Sequence, residues 1–140
     1  MSVAGYRLLE HTADMGIEAW GRDMPELFVQ AAWALRSILF GNCPACCRQQ
    51  QSVRLQAADS QELLVSWLNE ILFLWESCRL VPAAFTVNRL EATALQAVVS
   101  GEGFAPGRHG LEHEVKAVTY HQLQLGPESG GWHARLYVDV

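Results

Sequence analysis

The 140-residue chain is half hydrophobic and only 18% charged, a composition that suits one globular domain, residues 1–140, and excludes a disordered one. Its net charge of −5 argues against a direct, sequence-independent grip on nucleic acid, which needs a basic face to neutralise phosphates. The longest apolar stretch, Leu63 to Trp75, is interrupted by Ser66, Asn69 and Glu70 and is too short and polar to span a bilayer. Met1 to Tyr6 lacks the basic-then-apolar pattern of a leader, so a cytoplasmic protein with no membrane partner is expected.

Taken in order, Tyr6 to Leu9 and Met15 to Trp20 read as short strands joined through His11-Thr12-Ala13-Asp14. Asp23-Met24-Pro25-Glu26 is a helix start: Asp23 caps, Glu26 closes the capping box, and Pro25 is tolerated in the first turn. Leu27, Phe28, Ala31, Leu35, Ile38 and Leu39 follow at helical spacing as far as Gly41. After a weakly alternating strand at Gln51 to Ala57, Asp59-Ser60-Gln61-Glu62 repeats the capping pattern. The stripe Leu64, Trp67, Leu68, Ile71, Leu72 and Trp75 then predicts a second helix.

Further strands are predicted at Phe85–Leu90, Thr93–Gly101, Val115–Leu125 and Trp132–Val140. The loop 126–131 reads as a hairpin connection, and the Gly- and Pro-containing segment 103–110 as a mobile loop. Long strand pairs with helices between them, without regular strand–helix alternation, predict an α+β fold with a largely antiparallel sheet packed on two main helices.

Few polar residues carry information. The last strand alternates strictly, with Trp132, Ala134, Leu136, Val138 and Val140 on one side and His133, Arg135, Tyr137 and Asp139 on the other. It sets the terminal carboxylate one residue from Asp139, and two fixed anionic groups that close repel unless a cation or donors lie between them. Asp14 sits where a loop enters a strand; its ordinary role there is to cap a turn. Lys116 is the single lysine in a chain whose other cations are arginines, and it lies near Tyr120 and His121. It reads either as an exposed strand lysine or as a compact charge held for a purpose, and His121 as a core histidine or a functional one. Asn69 and Glu70 mark the solvent side of their helix.

Of the four cysteines, Cys43, Cys46 and Cys47 cluster in a turn without the second pair a zinc knuckle needs. Cys78 falls at a core phase of the second helix. The chain has no P-loop, no Gly-x-Ser-x-Gly, no His-Glu-x-x-His and no dinucleotide fingerprint.

Four segments, in order and covering the chain end to end, resemble the archease family. They are His11 to Gly16, Glu62 to Glu70, Glu114 to His121 and the closing Asp139-Val140. The resemblance implies two interleaved strand–helix–strand–strand modules. It also implies a non-catalytic activator of an RtcB-type GTP-dependent RNA ligase, acting on ligase guanylylation and turnover in tRNA splicing or RNA repair. The family's metal ligands fall on Asp14, Asp139 and Val140, which moves Asp14 from turn cap to ligand. Three anionic oxygen groups suit Ca²⁺, or another hard cation such as Mg²⁺. Lys116, His121, His11 and Glu70 lie inside the matching segments and are the candidates for partner-facing roles. The Cys43–Cys47 cluster lies outside the family pattern. The competing class is a standalone metal-dependent hydrolase acting on a small phosphorylated substrate, with Lys116 or His121 assisting a metal-activated water.

Overall fold

The computed structural model describes residues 3–10 and 14–140. Nine elements follow one another: β1 (Gly5–Glu10), β2 (Asp14–Gly21), α1 (Met24–Phe40), β3 (Gln49–Gln56), α2 (Ser60–Cys78), β4 (Leu80–Glu91), β5 (Ala94–Gly103), β6 (Ala117–Glu128) and β7 (Gly131–Asp139). The strands form two antiparallel sheets, ordered β1-β2-β7-β6 and β3-β5-β4. The second sheet is built wholly from chain lying between the two halves of the first, so the modules interleave and the fold is α+β as predicted. No helix among the described residues is long and apolar enough to cross a membrane.

Both helices start as the capping boxes dictate. Asp23 and Asp59 each accept a hydrogen bond from the backbone N–H three residues on, at Glu26 and Glu62, both 2.9 Å. Both apolar stripes are buried in full, and α1 and α2 each pack against strands of both sheets. The core also takes Ile17 and Ala19 from β2 and Ala134, Leu136 and Val138 from β7, all completely buried. That fixes the inner face of the first sheet. By alternation Asp14, Gly16, Glu18 and Trp20, with His133, Arg135, Tyr137 and Asp139, belong to its outer face.

Several boundaries differ from the sequence reading. β4 begins five residues earlier than predicted, because Pro82 sits in the strand at a register shift that spares it a ladder bond. The strand opposite has Gly101, where a Cβ would meet the Val81 carbonyl oxygen at 2.2 Å. The loop 126–131 shrinks to a two-residue turn: Glu128 pairs with Gly131, and Ser129 and Gly130 both have positive φ (50° and 80°), the type I′ pattern. β6 starts at Ala117 rather than Val115.

Asn69 is corrected most sharply. Its amide is not on a solvent face but clamps the edge strand β6, donating to the Val118 carbonyl at 3.2 Å and accepting from the Val118 N–H at 3.1 Å. Truncating it leaves both backbone groups without their partner, so Asn69→Ala should cost about 2 kcal/mol, read as a lower urea midpoint at unchanged slope. Cys78 also departs from expectation. It is exposed, because α2 ends on it and Arg79 turns the chain into the left-handed region before the stripe reaches another core position.

Candidate functional site

The register of β2 and β7 brings two of the predicted ligands together: Asp14 stands directly opposite Asp139 on the outer face at the end of the sheet. Cross-strand neighbours of this kind have Cβ atoms about 5 Å apart, and like charges so placed destabilise the sheet. On its other side Asp139 pairs with Ala117, and its carbonyl accepts the Lys116 N–H at 2.7 Å. The Asp139 backbone is thus held from both flanks. Its exposed side chain lies beside Asp14, and the Val140 carboxylate follows one residue later. Asp14, Asp139 and Val140 supply only oxygen donors, the chemistry of a hard divalent cation. Among the described residues no three His, Cys, Asp or Glu side chains gather as a metal site.

Lys116 is exposed and enters β6 beside Asp139. His121 lies in the stretch where β6 leaves its pairing with β7, between Thr119 and Gln124, with Gln122 at φ 54°. The exposed His121 ring meets Tyr137 edge-on at 6.3 Å, two residues from Asp139. Tyr137 in turn covers Gly16, where a Cβ would lie 3.0 Å from its ring. Glu70 is half-buried on α2, one residue after Asn69, whose amide bonds to Val118 next to the Ala117–Asp139 pair. His11 lies outside the described residues.

Further along the same outer face is a network that sequence reasoning missed. Glu18, 5% exposed, accepts from Arg7 and from Arg135 Nη2 (3.1 Å) and is 2.7 Å from His133 Nε2. Burial alone would raise its carboxyl; the hydrogen bonds from Arg7, His133 and Arg135 outweigh that and bring it from the ordinary 4.5 to about 2. Glu102, also 5% exposed, forms a second such centre with His109 Nε2 (2.9 Å), Arg108 (2.8 Å) and Arg48 (3.1 Å) and is likewise lowered to about 2 against the effect of burial.

Segment 103–110, read as a mobile loop, is bonded to Glu102 through Arg108 and His109. The His109 side chain is completely buried, and its Nδ1 accepts the Ala105 N–H at 2.9 Å. That leaves Nε2 to carry the proton towards Glu102. The three clustered cysteines are free thiols, and Cys46 Sγ lies 3.7 Å from Arg108 of this loop.

A carboxyl lowered on folding stabilises the native state fully above its ordinary pKa, and that stability is lost as pH falls through the native value. For Glu18 the window runs from pH 4.5 down to about 2. The melting temperature should fall steeply across it. Glu18→Gln should be less stable at neutral pH and should flatten its share of the slope, which melts at stepped pH values would show.

Comparison with known proteins agrees with this architecture. The model of the Archease protein family (MTH1598/TM1083) matches residues 6–140. The archease of Methanosarcina mazei is 37% identical over 139 residues, covering 96% of this chain and 95% of its own. That of Methanopyrus kandleri is 34% identical, with 94% and 96% covered. The solution structure of Methanobacterium thermoautotrophicum protein 1598 superposes with a TM-score of 0.78 at 29% identity, covering 97% of this chain and 99% of that one. A crystal structure from Thermotoga maritima, described as an archease and possible chaperone, shares the fold with a TM-score of 0.58 at 17% identity over 94% of each chain. With the family model spanning both ends of the paired β2–β7 site, this chain belongs to the archease protein family.

Proposed function

We propose that this protein is an accessory factor that activates an RtcB-type GTP-dependent RNA ligase in the cytoplasm, promoting ligase guanylylation and repeated turnover in tRNA splicing or RNA repair. The observation that carries the reading is the Asp14–Asp139 pair at the end of the sheet, in a chain of the archease family. Asp14, Asp139 and the Val140 carboxylate would hold Ca²⁺ or a similar hard cation, which when bound neutralises their repulsion and adds a fixed positive centre. The chain's own part is to present that end, with Lys116 beside it, to the ligase. A net charge of −5 fits a division of labour in which the ligase holds the RNA.

The test is a ligation assay with purified cognate ligase, GTP and excess cleaved RNA. Adding this protein at a small fraction of the ligase should raise product per ligase well above one; an unchanged yield sinks the reading. The protein alone should ligate nothing, and turnover of a phosphorylated substrate without a partner would favour a hydrolase instead. Because Lys116 is exposed and touches the site through its backbone, Lys116→Ala should cut stimulation while the melting temperature stays within about 2 °C of wild type. If the variant unfolds instead, the ammonium is structural.

A further inference from the structure

The Glu18 network forms the floor of a cleft of about 570 Å³ on the outer face of the first sheet. On that face it is lined by the side chains of Arg7, Trp20, Gln124, His133 and Arg135. Glu18 is four positions along the strand from Asp14, about 13 Å at the rise of a strand, so this cleft is separate from the aspartate pair. Its volume suits a small ligand rather than a macromolecule.

The charges do not cancel at the floor. Two arginines face one buried carboxylate, and Arg7 and Arg135 keep 63% and 40% of their side chains exposed while contacting it. Glu128, the other carboxylate, stands at the rim, 61% exposed and 3.7 Å from His133 Nδ1. Arg135 donates Nη2 to Glu18, yet its Nε is buried with no acceptor. Both guanidinium groups have more donors than Glu18 uses, their exposed parts line the cleft, and an oxyanion is the chemistry that takes those donors up. Glu18, held near a pKa of 2, stays ionised and keeps both arginines aimed.

The walls add a second specification. Trp20 lies over the bare backbone of Gly5, where a Cβ would be 3.0 Å from the indole, so a wide aromatic surface is fixed against the sheet beside the arginines. The Trp20 indole is only partly buried, so one side of it faces the cleft. A rigid aromatic surface next to guanidinium donors recognises a flat ring carrying an anionic group.

We propose that this cleft binds a small ligand made of a flat ring and a single oxyanion, a phosphate monoester or a carboxylate, with the anion on Arg7 and Arg135 and the ring against Trp20. Calorimetric titration with adenosine 5′-monophosphate and, in parallel, benzoate tests it, with adenosine as the uncharged control. Saturable one-to-one binding by either anion is expected, at least about tenfold tighter than adenosine, and the tighter of the two identifies the anion class. Arg135→Gln and Trp20→Leu should each weaken that binding about tenfold. Because Arg135→Gln also disturbs the floor, Gln124→Glu supplies an independent variant. It sets a carboxylate on the exposed wall without touching Glu18, and should repel the anion by a similar factor while the melting temperature holds. No saturable binding by either anion up to about 10 mM, or binding that Gln124→Glu leaves unchanged, overturns the proposal.

Discussion

Trp67→Ala is expected to cost about 4 kcal/mol and to lower the melting temperature by roughly 10–15 °C, the largest loss from any single substitution considered for this protein. Trp67 is completely buried on α2. Its indole donates to the Phe28 carbonyl of α1 at 2.9 Å and meets Phe85 of β4 edge-on at 6.2 Å. One side chain therefore joins both helices to the second sheet, and truncation removes a large apolar area and leaves a cavity its rigid neighbours cannot fill. Trp67→Phe keeps most of that area and loses the hydrogen bond, so it should cost about 1–2 kcal/mol. Phe73→Ala, on the same helix but 55% exposed, should change stability by less than about 0.5 kcal/mol. Urea titrations of the three variants settle the order. A Trp67→Ala loss no larger than that of Phe73→Ala would show that the helices are not joined through this ring.

The helices were legible because their signals are local. Each capping box lies within four residues and each stripe within one helix, and both helices form as those patterns require. Strand existence was legible from alternation for the same reason. What alternation does not carry is pairing. Glu18 and the set His133, Arg135, Tyr137 and Asp139 are separated by more than a hundred residues, and nothing local says that β2 and β7 lie side by side. Once they do, the polar sets of the two strands become one surface, and the Glu18 network and the cleft above it follow. Arg7 had no signal of its own, since an isolated arginine in a short strand reads as solvated.

Asn69 was misread because a long-range partner changed the meaning of a local pattern, whereas the loop and the turn differ through contacts only a few residues apart. Asn69 interrupts an apolar run as a solvent-facing residue would, but its amide is spent on the β6 backbone 49 residues away. Segment 103–110 has the composition of a loose loop, yet Arg108 and the buried His109 bond it to Glu102. The I′ turn at Ser129-Gly130 is tighter than its glycine- and proline-containing surroundings suggested, because Gly126 and Pro127 remain in strand pairing. Asp14 shows the opposite outcome. Its sequence context favoured a turn cap, the family resemblance favoured a ligand, and the register sets it opposite Asp139.

Asp14→Ala, Asp139→Ala and a short C-terminal extension are expected to give one phenotype: weaker calcium binding and lost ligase stimulation, with the fold retained. The three changes are unlike in sequence but act on a single cluster of negative charge. Asp14 and Asp139 face each other across β2 and β7, and extending past Val140 turns its carboxylate into a neutral amide and pushes chain through the proposed site. Neither aspartate belongs to the buried core, so the cost to folding should be small. Without metal, either alanine substitution relieves like-charge repulsion and should leave the melting temperature unchanged or slightly higher. With calcium in excess over its dissociation constant, the wild type should gain stability, about 2.7 kcal/mol at a hundredfold excess, whereas the three variants should gain little. The order of the melts therefore reverses: variants at or above wild type without calcium, and below it with calcium. An N-terminal tag of the same length serves as the control and should leave both melts and stimulation intact. A calcium-dependent shift that persists in both aspartate variants would put the cation elsewhere. Lost stimulation with an intact calcium shift would make these residues a contact surface for the ligase rather than metal ligands.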